Sequence, residues 1–246
     1  YAKRYFYDGC DELIFNDAVA SLYGINSLGK IIKSLAKNIH IPINAGGGLK
    51  SIKDIELLFS TGADKIFINS SILKNNLILK KSVNYFGSPN ITALIEVINY
   101  ENKYYTSYLS GRELAPVNPF DWAKSCEDMG CGEIIVTSVN NEGLMHGTDI
   151  KLFEKIAKKI TIPLLAHGGF GNYEHVYNLI KKVDVSAVII SSLFHYNYIK
   201  FVKHKKQKLS EIGNYNYIEN IKTEKRKNII YELKKYLKKR KIDVRF

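Results

Sequence analysis

Cysteine is scarce: three thiols, Cys10, Cys126 and Cys131, in 246 residues, with no C-x-x-C pair among them. An odd, scattered set does not make a disulfide scaffold, and a reduced intracellular protein fits better. No apolar run approaches the roughly 20 residues that span a bilayer, and no signal-peptide pattern is present, so the expected compartment is the cytoplasm. The six histidines have no metal-ligand spacing, and neither an H-E-x-x-H motif nor a Cys/His cluster occurs. Neither a metal nor a cofactor is expected. Nucleic-acid signatures are lacking too, although the net charge is +12. From Lys200 to Phe246 there are 16 Lys/Arg against 5 Asp/Glu, and the rest of the chain is nearly neutral. A basic tail can engage nucleic acid or a membrane. With no accompanying motif, it is read as a solvated Lys-rich helix, and no nucleic-acid or membrane partner is expected.

What is present is glycine at strand ends. The stretch IPINAGGGL, from Ile41 to Leu49, runs an apolar strand into Gly46, Gly47 and Gly48. Glycines there allow positive φ and leave amide N–H groups bare, which suits an anion. Around it the chain alternates strands and helices. Strands are expected at Asp11–Asp17, Asp64–Asn69, Ile91–Ile98, Glu133–Val139, Ile162–Ala166 and Ala187–Ser191, with the first nine residues closing a helix at Gly9. A single helix is expected from Ile72 to Phe86, and a hairpin-like polar stretch from Asn99 to Pro116. Such alternation marks a parallel sheet covered by helices.

The chain also repeats itself. GCDELIF at Gly9 matches GCGEIIV at Gly130, and IPINAGGGL at Ile41 matches IPLLAHGGF at Ile162, both at an offset of 121. DKIFINSSIL at Asp64 is echoed one residue further on by SAVIISSLFH at Ser186. Three collinear matches imply an α/β fold, a (βα)8 TIM-type barrel of two half-barrel repeats. On this reading residues 1–246 form one barrel domain, with an incomplete first half (1–89) and a second half (90–246) carrying a Lys-rich insertion around 197–229. The strand at Ile91 opens the second half. Its counterpart falls before Tyr1, so the first strand is expected to be missing from this sequence, whose first residue is not Met.

Ligands of parallel barrels sit at the C-terminal strand ends. Gly47–Gly48 and Gly168–Gly169 lie there, each followed one strand later by a polar cluster: Asn69, Ser70 and Ser71, then Ser191 and Ser192. Amides, hydroxyls and a helix start make a phosphate site. Two in register imply an elongated ligand with a phosphate at each end; glycines for tight turns and serines as caps are the plainer alternative for either site alone. Of the histidines, His146 and His167 are placed at this mouth, and His195 is expected to pack or cap.

These motifs, from YAKRY at Tyr1 through IPINAGGGL, GADKIFINSS, GCGEIIVTSV, IPLLAHGGFGNYEH and SLFHY to the closing YELKKYLKKRKIDVRF, resemble the cyclase subunit of imidazole glycerol phosphate synthase. The resemblance covers nearly all of the chain except residues around 197–229. It implies a two-half barrel that takes ammonia from a glutaminase subunit in a heterodimer. The implied substrate is a bis-phosphorylated ribulosyl aminoimidazole carboxamide of histidine biosynthesis. It also implies an acid–base pair of aspartates at the first and fifth strands, of which the first is absent and the second is replaced by Glu96. The loop Asn140-Asn141-Glu142-Gly143-Leu144 stands where the family has Asp-Arg-Asp-Gly-Thr, and places Glu142 and Gly143 at the substrate. His167 replaces a serine. A ring of charges gating ammonia maps onto Glu12, Lys65 and Glu133, with Asp64 facing the glutaminase; a self-satisfied salt-bridge layer is the structural alternative.

Three functions compete: the synthase itself; a paralogue supplying ammonia to a separate amidotransferase that amidinates a surface sugar; and a non-catalytic ammonia-channel scaffold. Without its first strand, the 246-residue form is expected to show little cyclase activity.

Overall fold

In the computed structural model of the chain, residues 1–17, 20, 28–202 and 226–246 are described. Helix α1 (Ala2–Tyr7) ends before Gly9, whose φ of +92° turns the chain into β1 (Leu13–Asn16). There follow α2 (Leu28–Ala36), β2 (Ile43–Gly46), α3 (Ile52–Ser60), β3 (Lys65–Ile68), α4 (Ser70–Lys74) and α5 (Leu77–Phe86). The second half runs β4 (Ile91–Tyr100), β5 (Lys103–Tyr108), β6 (Glu113–Leu114), α6 (Pro119–Asp128), β7 (Glu133–Ser138) and α7 (Ile150–Ala157). It closes with β8 (Leu164–His167), α8 (Tyr173–Lys182), β9 (Ala187–Ile189), α9 (Ser192–Val202) and α10 (Ile229–Lys239). Most of the proposed Lys-rich insertion lies outside the described residues, its flanks belonging to α9 and the approach to α10.

Seven strands run parallel in the order β1-β2-β3-β4-β7-β8-β9, the curled sheet of a TIM-type barrel. Its two halves share one register: Leu13 pairs Ile43 in the first, and Ile134 pairs Leu164 in the second, both members shifted by the repeat offset. Strands β1 and β9 end the parallel path, and no ladder joins them among the described residues. That flank is covered by side chains, with Leu193, Ile229 and Ile230 clustered against Tyr5 and Cys10. Asp8 Oδ2 accepts the Ile230 N–H at 3.3 Å, and Lys234 pairs with Asp11 at 2.7 Å.

Side chains alternate across each strand, so one face points outward and the other into the barrel. The outward set, with Ile66, Ile95, Ile134 and Val136, packs under the helices through Ile32, Ile55, Leu79, Phe153 and Leu179. The inward set forms a smaller cluster of Phe67, Leu94, Ile135 and Leu165 with Ile14 and Ile189.

Three elements depart from the sequence reading. Strand β4 extends to Tyr100 because it pairs antiparallel with β5, turning at Glu101 and Asn102, both at positive φ (49° and 61°) as a tight hairpin requires. The expected helix from Ile72 to Phe86 is two helices, because Asn75 is extended and its Oδ1 accepts the Leu77 N–H at 3.1 Å, a local bond that competes with the helical one. Strand β9 stops at Ile189, two residues short of the expected end.

Phe153 is fully buried at 0% exposure. Truncation to alanine is expected to cost about 3–5 kcal/mol, read as a shifted urea midpoint at unchanged slope.

Candidate active site at the strand ends

The C-terminal strand ends of the first half surround a cavity of about 330 Å³. Gly47 and Gly48 form one wall, Asn69, Ser70 and Ser71 a second, and Glu96 closes it from β4. The glycines are there for close approach. A Cβ on Gly47, at φ +107°, would lie 2.4 Å from the Asp17 carbonyl oxygen, and one on Gly48 2.6 Å from the Ala20 Cβ. Within the wall, Asn69 Oδ1 is buried and has no hydrogen-bond partner among the described residues.

Glu96 is positioned by the hairpin that β4 begins. Gly111 donates its N–H to Glu96 Oε2 at 2.9 Å, and Leu109 donates its own to Ser70 Oγ at 3.3 Å. Leu109, Ser110 and Gly111 all have positive φ, so this tip folds back over the strand end. Burial pushes the Glu96 carboxyl above its ordinary range; the Gly111 N–H opposes that and the Glu142 charge adds to it.

In the second half the corresponding residues also converge. Gly143, Gly168, Gly169, Ser191 and Ser192 line one cleft with His167, but its volume is about 10 Å³. Gly168 repeats the role of Gly47: its Cβ would lie 2.7 Å from the Ser138 carbonyl. His167 Nδ1 shares a 3.1 Å hydrogen bond with Thr137 Oγ1, and burial holds the imidazole below its usual pKa against the opposing charge of Glu142. Glu142 itself is exposed. His146 is exposed and lines neither cavity, a correction to its placement at the mouth. His195 packs against the Tyr1 ring at 4.8 Å and meets the Tyr5 hydroxyl at 3.3 Å.

At the opposite end of the barrel the three ring residues meet. Lys65 Nζ donates to Glu133 Oε1 at 2.7 Å and to Glu12 Oε2 at 3.1 Å. Burial raises the Glu12 pKa while Lys65 pulls it back; burial also works against the charge on Lys65, but the Glu133 and Glu12 bonds outweigh it and raise its pKa. Asp64, beside the ring and exposed, accepts the Ile43 N–H at 2.8 Å and so pins the start of β2.

Sequence reasoning missed six polar residues of the cavity wall: Asn16, Asp17, Lys50, Lys74, Asn75 and Ser110. Asp17 is buried, and its Oδ1 accepts the Ala20 N–H at 3.0 Å. The repeat carried a signal for it, since its counterpart Ser138 sits at the end of β7. Lys74 and Ser110 lie outside the repeated segments. Among the described residues no His, Cys, Asp or Glu group could hold a metal ion, and no helix is long and apolar enough to cross a membrane.

The family described as "Histidine biosynthesis protein" matches residues 1–200. The chain belongs to that family. Among its relatives, the imidazole glycerol phosphate synthase subunit HisF of Legionella pneumophila is 40% identical over 175 residues, 71% of this chain and 82% of the relative. Those of Thermococcus onnurineus and Prochlorococcus marinus are 35% and 36% identical, each over 79% of this chain and 77% of the relative. This member of the family has a well-formed first-half cavity and a closed second-half cleft.

Two measurements probe the site. The ring side chains are 18–24% exposed, between the surface and buried limits. Lys65→Met, which leaves two carboxylates facing each other, is expected to cost about 2 kcal/mol at neutral pH. Urea unfolding should show the loss shrinking in acid, where the carboxylates are protonated. For Glu96 the raised pKa means that the folded state holds the proton more tightly than the unfolded chain. The stability it contributes is present below the ordinary carboxylate pKa and is lost as pH rises through the raised value. Against wild type, Glu96→Gln should gain stability between about pH 4 and the raised pKa, then hold a constant advantage; a pH-independent difference counts against this ionisation.

Proposed function

We propose that the chain is the ammonia-using cyclase subunit of an imidazole glycerol phosphate synthase, a lyase-type barrel acting on a phosphorylated substrate. The observation that carries the reading is the stacking of three layers inside one barrel. The Glu12–Lys65–Glu133 ring lies at the N-terminal strand ends. Above it comes an apolar layer of Ile14, Phe67, Leu94, Ile135, Leu165 and Ile189, and above that Glu96 in the 330 Å³ cavity. Neutral ammonia crosses an apolar layer at little cost, whereas ammonium does not. The ring therefore acts as the entry for ammonia, and the strand ends as the place of use.

A glutaminase subunit supplies the ammonia on this reading, docked in a heterodimer over the ring face where Asp64 is exposed. The cytoplasm is the fitting compartment, and residues 1–246 act as one barrel domain. Gly47, Gly48, Asn69 and Ser70 hold a phosphate: the glycines clear the turn of side chains, Ser70 offers a hydroxyl, and Asn69 Oδ1 accepts a ligand hydroxyl or N–H. Glu96 is the general acid–base. Its raised pKa brings it toward neutrality, where an acid–base group is most effective, and the Gly111 N–H aims it. The remaining candidates, Glu142, Gly143, Gly168, Gly169, Ser191 and Ser192, frame the far end of the ligand.

A second reading, the paralogue serving a separate amidotransferase for sugar amidination, is favoured by two substitutions. Glu96 stands for the aspartate, and His167 for the serine, that the resemblance implies. Ammonium-dependent turnover of the bis-phosphorylated ribulosyl aminoimidazole carboxamide separates them. The synthase reading expects turnover, and expects Glu96→Gln to lower kcat by about 10²–10⁴-fold with KM little changed. Absence of turnover together with stimulation of a co-purified glutaminase removes that reading and leaves the paralogue or the scaffold.

A further inference from the structure

The wall of the first-half cavity holds two cations, Lys50 and Lys74, beside two carboxylates, Asp17 and Glu96. Ser70 and Lys74 lie one helical turn apart on α4, so both side chains stand on one face, and both line the cavity. The repeat that maps Ser70 onto Ser192 puts Tyr196 where Lys74 stands, so the barrel itself does not demand a lysine there. Lys74 Nζ lies 5.9 Å from the centroid of the Tyr108 ring, within cation–π range. Tyr108 closes β5, and the next residue, Leu109, donates its N–H to Ser70 Oγ at 3.3 Å. The hairpin thus touches α4 twice, at the hydroxyl and at the ammonium. Among the described residues Lys74 has no carboxylate partner, and the Lys50 side chain has neither a carboxylate nor a ring partner.

We infer that Lys74 is the counter-charge of a phosphate monoester in the first-half cavity, held at the rim by the Tyr108 ring. A dianion brought there by neutral donors alone would meet the like charge of Asp17 and Glu96, which opposes it. A lysine at the rim offsets part of that repulsion, and lysine serves phosphate as a point charge. Ser70 Oγ accepts from Leu109, so its own proton is left to donate to the anion. Tyr108 limits how far the ammonium ranges, so less side-chain freedom is lost when the anion arrives. Lys50 has no such hold. The inference rests on the reading of Gly47–Gly48 and Ser70 as a phosphate site and adds the cation that this reading lacks.

Calorimetric titration of the 246-residue chain with inorganic phosphate, in mildly alkaline buffer where the anion is mostly divalent, reads the charge without turnover. Lys74→Met is expected to weaken binding about 10-fold, the scale of one hydrogen bond to a charged group. Lys74→Arg keeps the charge and should stay close to wild type. Tyr108→Leu, which frees the ammonium, should fall between them. Lys80→Met, at an exposed lysine on α5 outside the cavity, controls for net charge and should bind as wild type does. Added salt should weaken wild type more than Lys74→Met. Lys74 is exposed, so thermal midpoints should not move. In turnover, Lys74→Met should raise KM about 10-fold and leave kcat, because the charge is met in ground and transition states alike. Equal affinities for wild type and Lys74→Met overturn the inference, as does an equal loss in Lys80→Met. A loss in Lys50→Met with none in Lys74→Met also overturns it and gives the charge to Lys50. No phosphate on wild type overturns it together with the first-half phosphate site, and ammonium-dependent turnover then stands or falls separately.

Discussion

The structure depends on one constraint, the two-residue alternation of side chains along parallel strands held in a fixed register. Glu12 just before β1 and Ile14 on it, Lys65 and Phe67 on β3, Thr92, Leu94 and Glu96 on β4, and Glu133 and Ile135 on β7 all fall on inward positions. A slip of one residue on β3 would send Lys65 into the outer core and turn Ile66 into the lumen. Charge ring, apolar layer and carboxylate mouth are therefore one pattern read at three heights. None of the layers can be moved independently of the others.

Charge balance within the ring is a consequence of that pattern. One lysine faces two glutamates, and burial opposes ionisation at both Glu12 and Lys65. The lysine stays charged because the carboxylates are close, and the carboxylates stay tolerable because the lysine is. A ring of this kind contributes little net stability against an apolar replacement, but it gives the barrel floor a defined polarity.

Much of this was legible in the sequence because barrels advertise themselves locally. Short apolar runs, two of them ending in glycine, mark all seven parallel strands, and the repeat at Gly9/Gly130 and Ile41/Ile162 announces the shared register. The ring residues were found by resemblance, and they do meet. The remainder was set by tertiary contact. Strand β4 is longer than its apolar run because β5 pairs with Asn99 and Tyr100, which no local pattern demanded. The helix break at Asn75 follows from one side-chain bond. Asp17 looked like the polar end of a strand, and only the curvature of the sheet makes it a cavity wall.

The bond from Ile230 to Asp8 and the ion pair from Lys234 to Asp11 join residues 222 and 223 positions apart. During synthesis the α1–β1 flank is thus made early and covered late. At about 5–20 residues per second, the ribosome leaves Cys10 and the β1 edge without their α10 cover for some tens of seconds or less. In that interval the apolar surface around Tyr5 and Cys10 lacks the cover that Ile229 and Ile230 give it in the finished fold. The acidic pair Asp8 and Asp11 beside that surface is then an early solubilising charge, which becomes a fastening point only when the last helix arrives.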